Sequence, residues 1–139
     1  MESEFRDPET VLIVDGDLAI LSLIRGILNR HGHNVLAADS FEKGLNICQS
    51  YKPIIELALV EVMMPRMTGP QFAAQARILR PYMRFLYLSG HDCNELTASG
   101  ILVPGDTFLA KPFLPDVLIK NIRQVLDTQR VATAGSMIH

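Results

Sequence analysis

Asp15-Gly16-Asp17, Glu61, Ser89-Gly90 and Lys111-Pro112 each follow directly on a short apolar run in this chain of 139 residues. Two or three carboxylates, a hydroxyl and an ammonium brought to one place can hold a cation, steady a transferred anion, or neutralise one another. Glu61 is the most constrained of the set. It sits among Leu57, Leu59, Val60, Val62 and Met63, and a carboxylate in such company must find water, a cation or a proton. Lys111 is its natural counter-charge. Each residue also has a plainer reading. Asp17, and less readily Asp15, would serve as a helix cap, Ser89-Gly90 as turn chemistry, and Lys111 as a solvated charge before a proline.

The elements that must position these groups are legible in the apolar pattern. Val11 to Val14, Val35 to Ala38, Leu57 to Val60 with Val62, Phe85 to Leu88, and Thr107 to Ala110 are continuous rather than alternating, as in strands buried on both faces of a parallel sheet. Helical periods lie between them. Ile20, Leu21, Ile24, Ile27 and Leu28 form one face, with Gly32 placed at its C-terminus. Ser40 caps a second helix with Phe41, Leu45 and Cys48 inward, ending before Pro53. Pro70 suits the first turn of a third, with Phe72, Ala76 and Leu79 inward and Pro81 beyond its end. Asn94 to Ser99 predicts a short or irregular fourth helix, before Gly100 and Pro104-Gly105. Pro115 opens the last, with Leu118, Ile119, Ile122, Val125 and Leu126 as its buried stripe. Strand and helix alternate five times, which predicts a doubly wound α/β domain whose functional groups gather at the carboxyl ends of the strands.

Length and composition agree with one such domain. Hydrophobic residues make up 48% and charged residues 20%, enough to bury a core and too apolar for disorder. We assign residues 10–128 to the domain, 1–9 to an N-terminal extension and 129–139 to a C-terminal tail or linker stub, with Val131 to His139 expected to fray. Thirteen basic against 15 acidic side chains, a net charge of −2, give no footprint for nucleic acid, and no apolar run is long enough for a membrane. The acidic start (Glu2, Glu4) lacks a signal peptide's positive flank, so a cytoplasmic location is expected. Cys48 and Cys93 are expected as free thiols.

The layout resembles the receiver domain of two-component response regulators. Val11-Leu12-Ile13-Val14-Asp15 is similar to that family's first strand and its acidic end. Leu59-Val60-Glu61-Val62-Met63-Met64-Pro65, then Gly69, is similar to its phosphoacceptor strand and loop. Leu88-Ser89-Gly90 and Phe108-Leu109-Ala110-Lys111-Pro112-Phe113 are similar to its hydroxyl switch and its lysine-proline turn. The stretch from Gly100 to Phe113 resembles receivers attached to hybrid sensor kinases more than those joined to DNA-binding domains. The resemblance implies a flavodoxin-like sheet of five parallel strands with about five helices. It also implies a non-enzymatic signalling module in a phosphorelay. Its partner would be a sensor histidine kinase, a histidine phosphotransfer domain or a downstream signalling protein. By the same resemblance Glu61 occupies the phosphoacceptor position, and Mg²⁺ would be held by Asp15, Glu61 and the Met63 carbonyl. Ser89 and Lys111 would meet the phosphoryl oxygens, and Phe108 would be the aromatic switch.

Two departures bear on that chemistry. Glu stands where the family has Asp, and one added methylene moves the carboxylate by roughly 1.5 Å. Displacements of about 1 Å can cost on the order of 100-fold in transfer. Gly16 stands where the second acid of the first strand usually is, and Asp17 next to it should project elsewhere, so the Mg²⁺ site is expected to be weak or absent. The expectation is a degenerate receiver in which Glu61 reaches toward Lys111 and Ser89 and signals by binding alone. The alternative is a working phosphoacceptor with unusual geometry.

Other classes fare worse. A flavodoxin-like FMN-binding protein would need free N–H groups for the flavin phosphate, where Asp15 and Asp17 put negative charge. A hydrolase would need a nucleophile elbow at Ser89 and a third partner for His91. His31 and His33, even with Cys48, read as surface or capping residues rather than metal ligands. Met63, Met64 and Met67 read as packing.

Overall fold

A computed structural model describes residues 8–138, with side-chain surroundings for residues 8–127. The outermost parts of the assigned N-terminal extension and tail, residues 1–7 and 139, lie outside the described residues. The elements are β1 (Thr10–Val14), α1 (Leu18–Arg30), β2 (Asn34–Ala38), α2 (Phe41–Ser50), β3 (Leu57–Glu61), β4 (Met63–Met64), β5 (Met67–Thr68), α3 (Gly69–Leu79), β6 (Arg84–Ser89), α4 (Cys93–Ala98), β7 (Phe108–Ala110) and α5 (Pro115–Ile138). Five strands form one parallel sheet in the order β2-β1-β3-β6-β7, as expected, and β4 and β5 pair as a separate two-stranded hairpin.

Alternation along the strands feeds two cores, one on each face of the sheet. Val11, Ile13, Leu57, Leu59, Leu86 and Leu88 pack with the buried stripes of α1 and α5. Leu12, Val14, Ala58, Val60, Phe85 and Tyr87 pack with α2, α3 and Leu96 of α4. The second core is knit by Phe41 and Phe72, whose rings stack with centroids 5.0 Å apart. Burying a side chain the size of Phe72 stabilises by roughly 2–3 kcal/mol.

The helix ends follow the capping residues. Asp17 accepts the N–H groups of Ala19 and Ile20 with Oδ1, and Ser40 accepts that of Lys43. Gly32, at φ +81°, lets the chain turn away after α1. Thr68 and Gln71 form a reciprocal capping box for α3, with Pro70 in its first turn. Arg80, just past α3, donates from Nε to the Cys48 carbonyl, from Nη1 to Pro53 and from Nη2 to Tyr51, tying the end of α2 to the end of α3. The fourth helix is short, as expected, at six residues.

Two expectations are corrected, and one element is added to those the apolar pattern predicts. Leu79 is 42% exposed, because the buried face of α3 runs through Phe72, Ala73 and Ala76 and leaves the last turn outside. The hairpin of Met63–Met64 with Met67–Thr68 has no apolar period to announce it. The stretch from Val131 to Ile138 continues α5 as helical backbone rather than fraying. That stretch contains no proline, and adding residues to an existing helix avoids the cost of nucleation. Both cysteines are free thiols, Cys48 buried and Cys93 exposed. Among the described residues no helix is long and apolar enough to cross a membrane.

Candidate functional site

The register Val14↔Val60 sets β1 beside β3, so Asp15 and Glu61 emerge side by side at the carboxyl end of the sheet. β7, two strands from β3, delivers Lys111 to the same end, with the Lys111 N–H on the Ser89 carbonyl and a cis peptide to Pro112 following it. The Lys111 ammonium donates to Asp15 Oδ2 at 2.6 Å and to Glu61 Oε1 at 2.8 Å. The remaining carboxylate oxygens have main-chain donors: Asp15 Oδ1 accepts from Asp17 N–H at 2.9 Å, and Glu61 Oε2 from Val62 N–H at 2.8 Å. Asp15 is buried, and Glu61 and Lys111 are largely so. Burial by itself lowers the Lys111 pKa, but the hydrogen bonds and charges of Asp15 and Glu61 outweigh it and hold the ammonium above its ordinary value.

Ser89 does not join this network. Its fully buried hydroxyl accepts the His91 N–H at 2.9 Å and lies 3.2 Å from His91 Nδ1. The expected reach of Glu61 toward Ser89 is therefore corrected: Glu61 turns to Lys111 and to its own neighbour Val62, while Ser89 closes a local turn. An oxygen two residues from an N–H makes that turn at little entropic expense. His91 is thus the residue that sequence reasoning left without a role, and the spacing Ser-Gly-His was its signal.

The hairpin β4–β5 follows Glu61 directly, turning at Pro65 and Arg66, the latter at φ 74°. Gly69 closes it, with its N–H on the Val62 carbonyl at 2.6 Å. A Cβ there would lie 2.8 Å from the Glu61 carbonyl oxygen, so the close approach requires glycine. Met64 and Met67 pack on the core, as read, whereas Met63 is 41% exposed. Phe108 is half-buried against the core on the α3 side. His31 caps α1 through Nδ1 on the Ile27 carbonyl, and His33 faces Glu9.

The donors present do not fit a divalent ion. Asp17 is occupied as the α1 cap, Gly16 has no side chain to offer, and Asp15 and Glu61 share an ammonium. Among the described residues no three His, Cys, Asp or Glu side chains are grouped to hold a metal. Two carboxylates and one ammonium sum to −1, and their oxygens are held by the Lys111 ammonium and by the Asp17 and Val62 N–H groups.

Comparison with known proteins places this geometry. Residues 11–123 match the response regulator receiver domain family. The alkaline phosphatase synthesis transcriptional regulatory protein PhoP of Bacillus subtilis (strain 168) is 26% identical over 91% of this chain and 52% of its own length. The chain spans about half the length of the curated relatives it matches. A CheY-like response regulator receiver domain protein from Methanospirillum hungatei JF-1 superposes with a TM-score of 0.77 at 30% identity, covering 90% of this chain and 98% of that one. The receiver domain of the hybrid histidine kinase CckA gives 0.71 at 27%, covering 84% and 98%. Transcriptional regulators and a hybrid kinase are thus both among the relatives of a chain that, by fold and by its match over residues 11–123, belongs to the response regulator receiver domain family.

Proposed function

We propose that this receiver works without a phosphorylation cycle, as an interaction module in two-component signalling. One observation carries the reading: the Glu61 carboxylate is engaged on both oxygens, by Lys111 and by Val62 N–H, in a site lacking a third acid. A carboxylate so placed is a poor in-line nucleophile. Its charge is partly offset by the ammonium it shares with Asp15, and its extra methylene moves it from the position an Asp would take. The same contact gives Lys111 a fixed anionic partner, a partial stand-in for a phosphorylated acid. The module acts by binding a sensor histidine kinase, a histidine phosphotransfer domain or a downstream signalling protein, and carries no enzymatic step of its own.

Intact-protein mass spectrometry after incubation with acetyl phosphate and Mg²⁺ tests this, with Glu61→Asp and Glu61→Asp/Gly16→Asp alongside. Gain of a phosphoryl group by either variant and none by the unaltered chain is the expected result. Stoichiometric phosphorylation of the unaltered chain would establish the rival reading, a working phosphoacceptor.

A further inference from the structure

Large apolar side chains gather on the surface at the end of the sheet remote from Asp15, Glu61 and Lys111. Ile54, in the turn entering β3, is 74% exposed, Ile78, in the last turn of α3, 81%, and Tyr82, in the turn entering β6, 92%. Leu79 joins them from the same end of α3. These residues form one patch. β3 and β6 are neighbouring strands, α2 and α3 lie side by side, and the Arg80 guanidinium reaches from beside Leu79 to the carbonyls of Tyr51 and Pro53, the latter bonded directly to Ile54. A single exposed isoleucine is ordinary on a protein surface. Four large residues held together by one clamp leave on the order of 500 Å² of side chain in water, toward the upper end for the largest patch of a monomer.

The surface bordering the patch is short of charge. The exposed outer positions in the second halves of α2 and α3 include Asn46, Gln49, Ser50, Ala74 and Gln75, none of them ionisable. Arg77 turns aside over the Phe85 ring, 4.6 Å from its centroid, and Arg80 folds onto main-chain carbonyls, which leaves Lys52 at the margin. Such a surface can meet itself. An isologous contact brings each group close to its own copy or to a two-fold mate, so ionised groups repel there. Amides and hydroxyls both donate and accept, and apolar groups have no sign to oppose. Interface centres show the same depletion of charge and the same enrichment in tyrosine. A stable pair takes about 800 Å² from each partner, an area within reach of the four apolar residues together with exposed Pro53, Pro81 and Gln75.

We propose that a second copy of this chain covers the patch, in a two-fold dimer packed through the C-terminal ends of α2 and α3 with Ile78 and Tyr82 at its centre. Burial of the isoleucines and the tyrosine supplies the affinity, and the amide border fixes the register of one copy on the other. The contact lies at the far end of the sheet from Lys111, so the carboxylate and ammonium groups of both copies stay open, and the pair offers two such sites to a partner at once. The inference is independent of the chemistry of Glu61.

The test is sedimentation equilibrium of the full chain over concentrations from about 1 μM to about 1 mM. A monomer–dimer equilibrium is expected. Ile78→Glu, which sets two like charges near the axis, and Tyr82→Ser should each raise the dissociation constant by about tenfold or more. Both side chains are exposed, so the variants should keep the circular dichroism and the dilute-solution melting temperature of the unaltered chain. Val103→Glu and Leu114→Glu, at exposed apolar residues outside the patch, should leave the dimer intact. The proposal is overturned if the chain stays single at the highest concentration, which would assign the patch to a different molecule. It is overturned equally if Ile78→Glu and Tyr82→Ser dimerise like the unaltered chain, or if Val103→Glu or Leu114→Glu separates the pair.

Discussion

Lys111 and Asp15 stand 96 residues apart in the chain and 2.6 Å apart in space. Their contact, with Glu61 as third member, spans three strands of the sheet and exists only because the fold is complete. Charged groups this far from water depend on each other. The network is therefore a statement about stability as well as about signalling.

Removing the ammonium leaves two buried carboxylates facing one another. Lys111→Ala should lower unfolding free energy by about 3 kcal/mol, the usual consequence of stripping one partner from a buried ion pair. Urea denaturation at neutral pH measures it, and Lys111→Met combined with Glu61→Gln should recover part of the loss. Because the folded pKa of Lys111 is raised, its contribution is fully present below the ordinary lysine value near 10.4 and is lost as pH climbs through the raised value.

A different histidine governs the acid side. Burial, the largest influence, lowers the pKa of His33, although Glu9 opposes it, and Arg123 and His31 add smaller lowering effects. The folded state thus favours neutral imidazole, whose stabilisation is present above the ordinary histidine value of about 6.5 and is lost as pH falls through the lowered one. Stability measured between neutral pH and about pH 5 should decline, and His33→Gln should flatten that decline.

Gly16 is where a missing acid could be restored. A Cβ there would sit 3.7 Å from Met64 Cε and 3.9 Å from the Asp39 carbonyl oxygen, ordinary contacts, at a backbone conformation open to any residue. Gly16→Asp should fold, and it should show a Mg²⁺-dependent rise in melting temperature that the unaltered chain lacks. Occupancy at 100 times the dissociation constant would stabilise by about 2.7 kcal/mol. A thermal melt with and without millimolar Mg²⁺ decides the matter.

Gly69→Ala tests the close approach of the hairpin. Its methyl would meet the Glu61 carbonyl oxygen at 2.8 Å and the Val62 Cα at 3.2 Å, both main-chain atoms that cannot swing aside. A loss of about 1–3 kcal/mol is expected, with chemical-shift changes centred on Glu61 and Val62. Gly16→Ala, which meets no such obstacle, is the control.

Much of this fold could be read from the residues. The central strands declared themselves because residues such as Val11 to Val14 must satisfy two apolar faces at once, and α1 and α5 because their stripes repeat at helical spacing. The meeting of Asp15, Glu61 and Lys111 followed from topology, since parallel strands deliver their carboxyl ends to one rim. The expected contact of Glu61 with Ser89 is not made because a short-range partner, the His91 N–H, outcompetes a distant carboxylate, a contest that sequence spacing alone does not decide. Two-residue strands such as Met63–Met64 are too short to carry a period, and Leu79 keeps helical spacing where the helix has already left the core. Arg80 gave no sign either. A single guanidinium gathering carbonyls from three separate residues leaves no local pattern.

Lys111 touches the site twice, with its side chain on Asp15 and Glu61 and with its main-chain N–H on the Ser89 carbonyl. One residue thus ties the carboxylates at the ends of β1 and β3 to the turn that holds Ser89 and His91. Lys111→Arg, which keeps the charge but changes its reach, should therefore shift the amide resonances of Ser89 and His91 as well as those of Asp15 and Glu61, with the sheet intact.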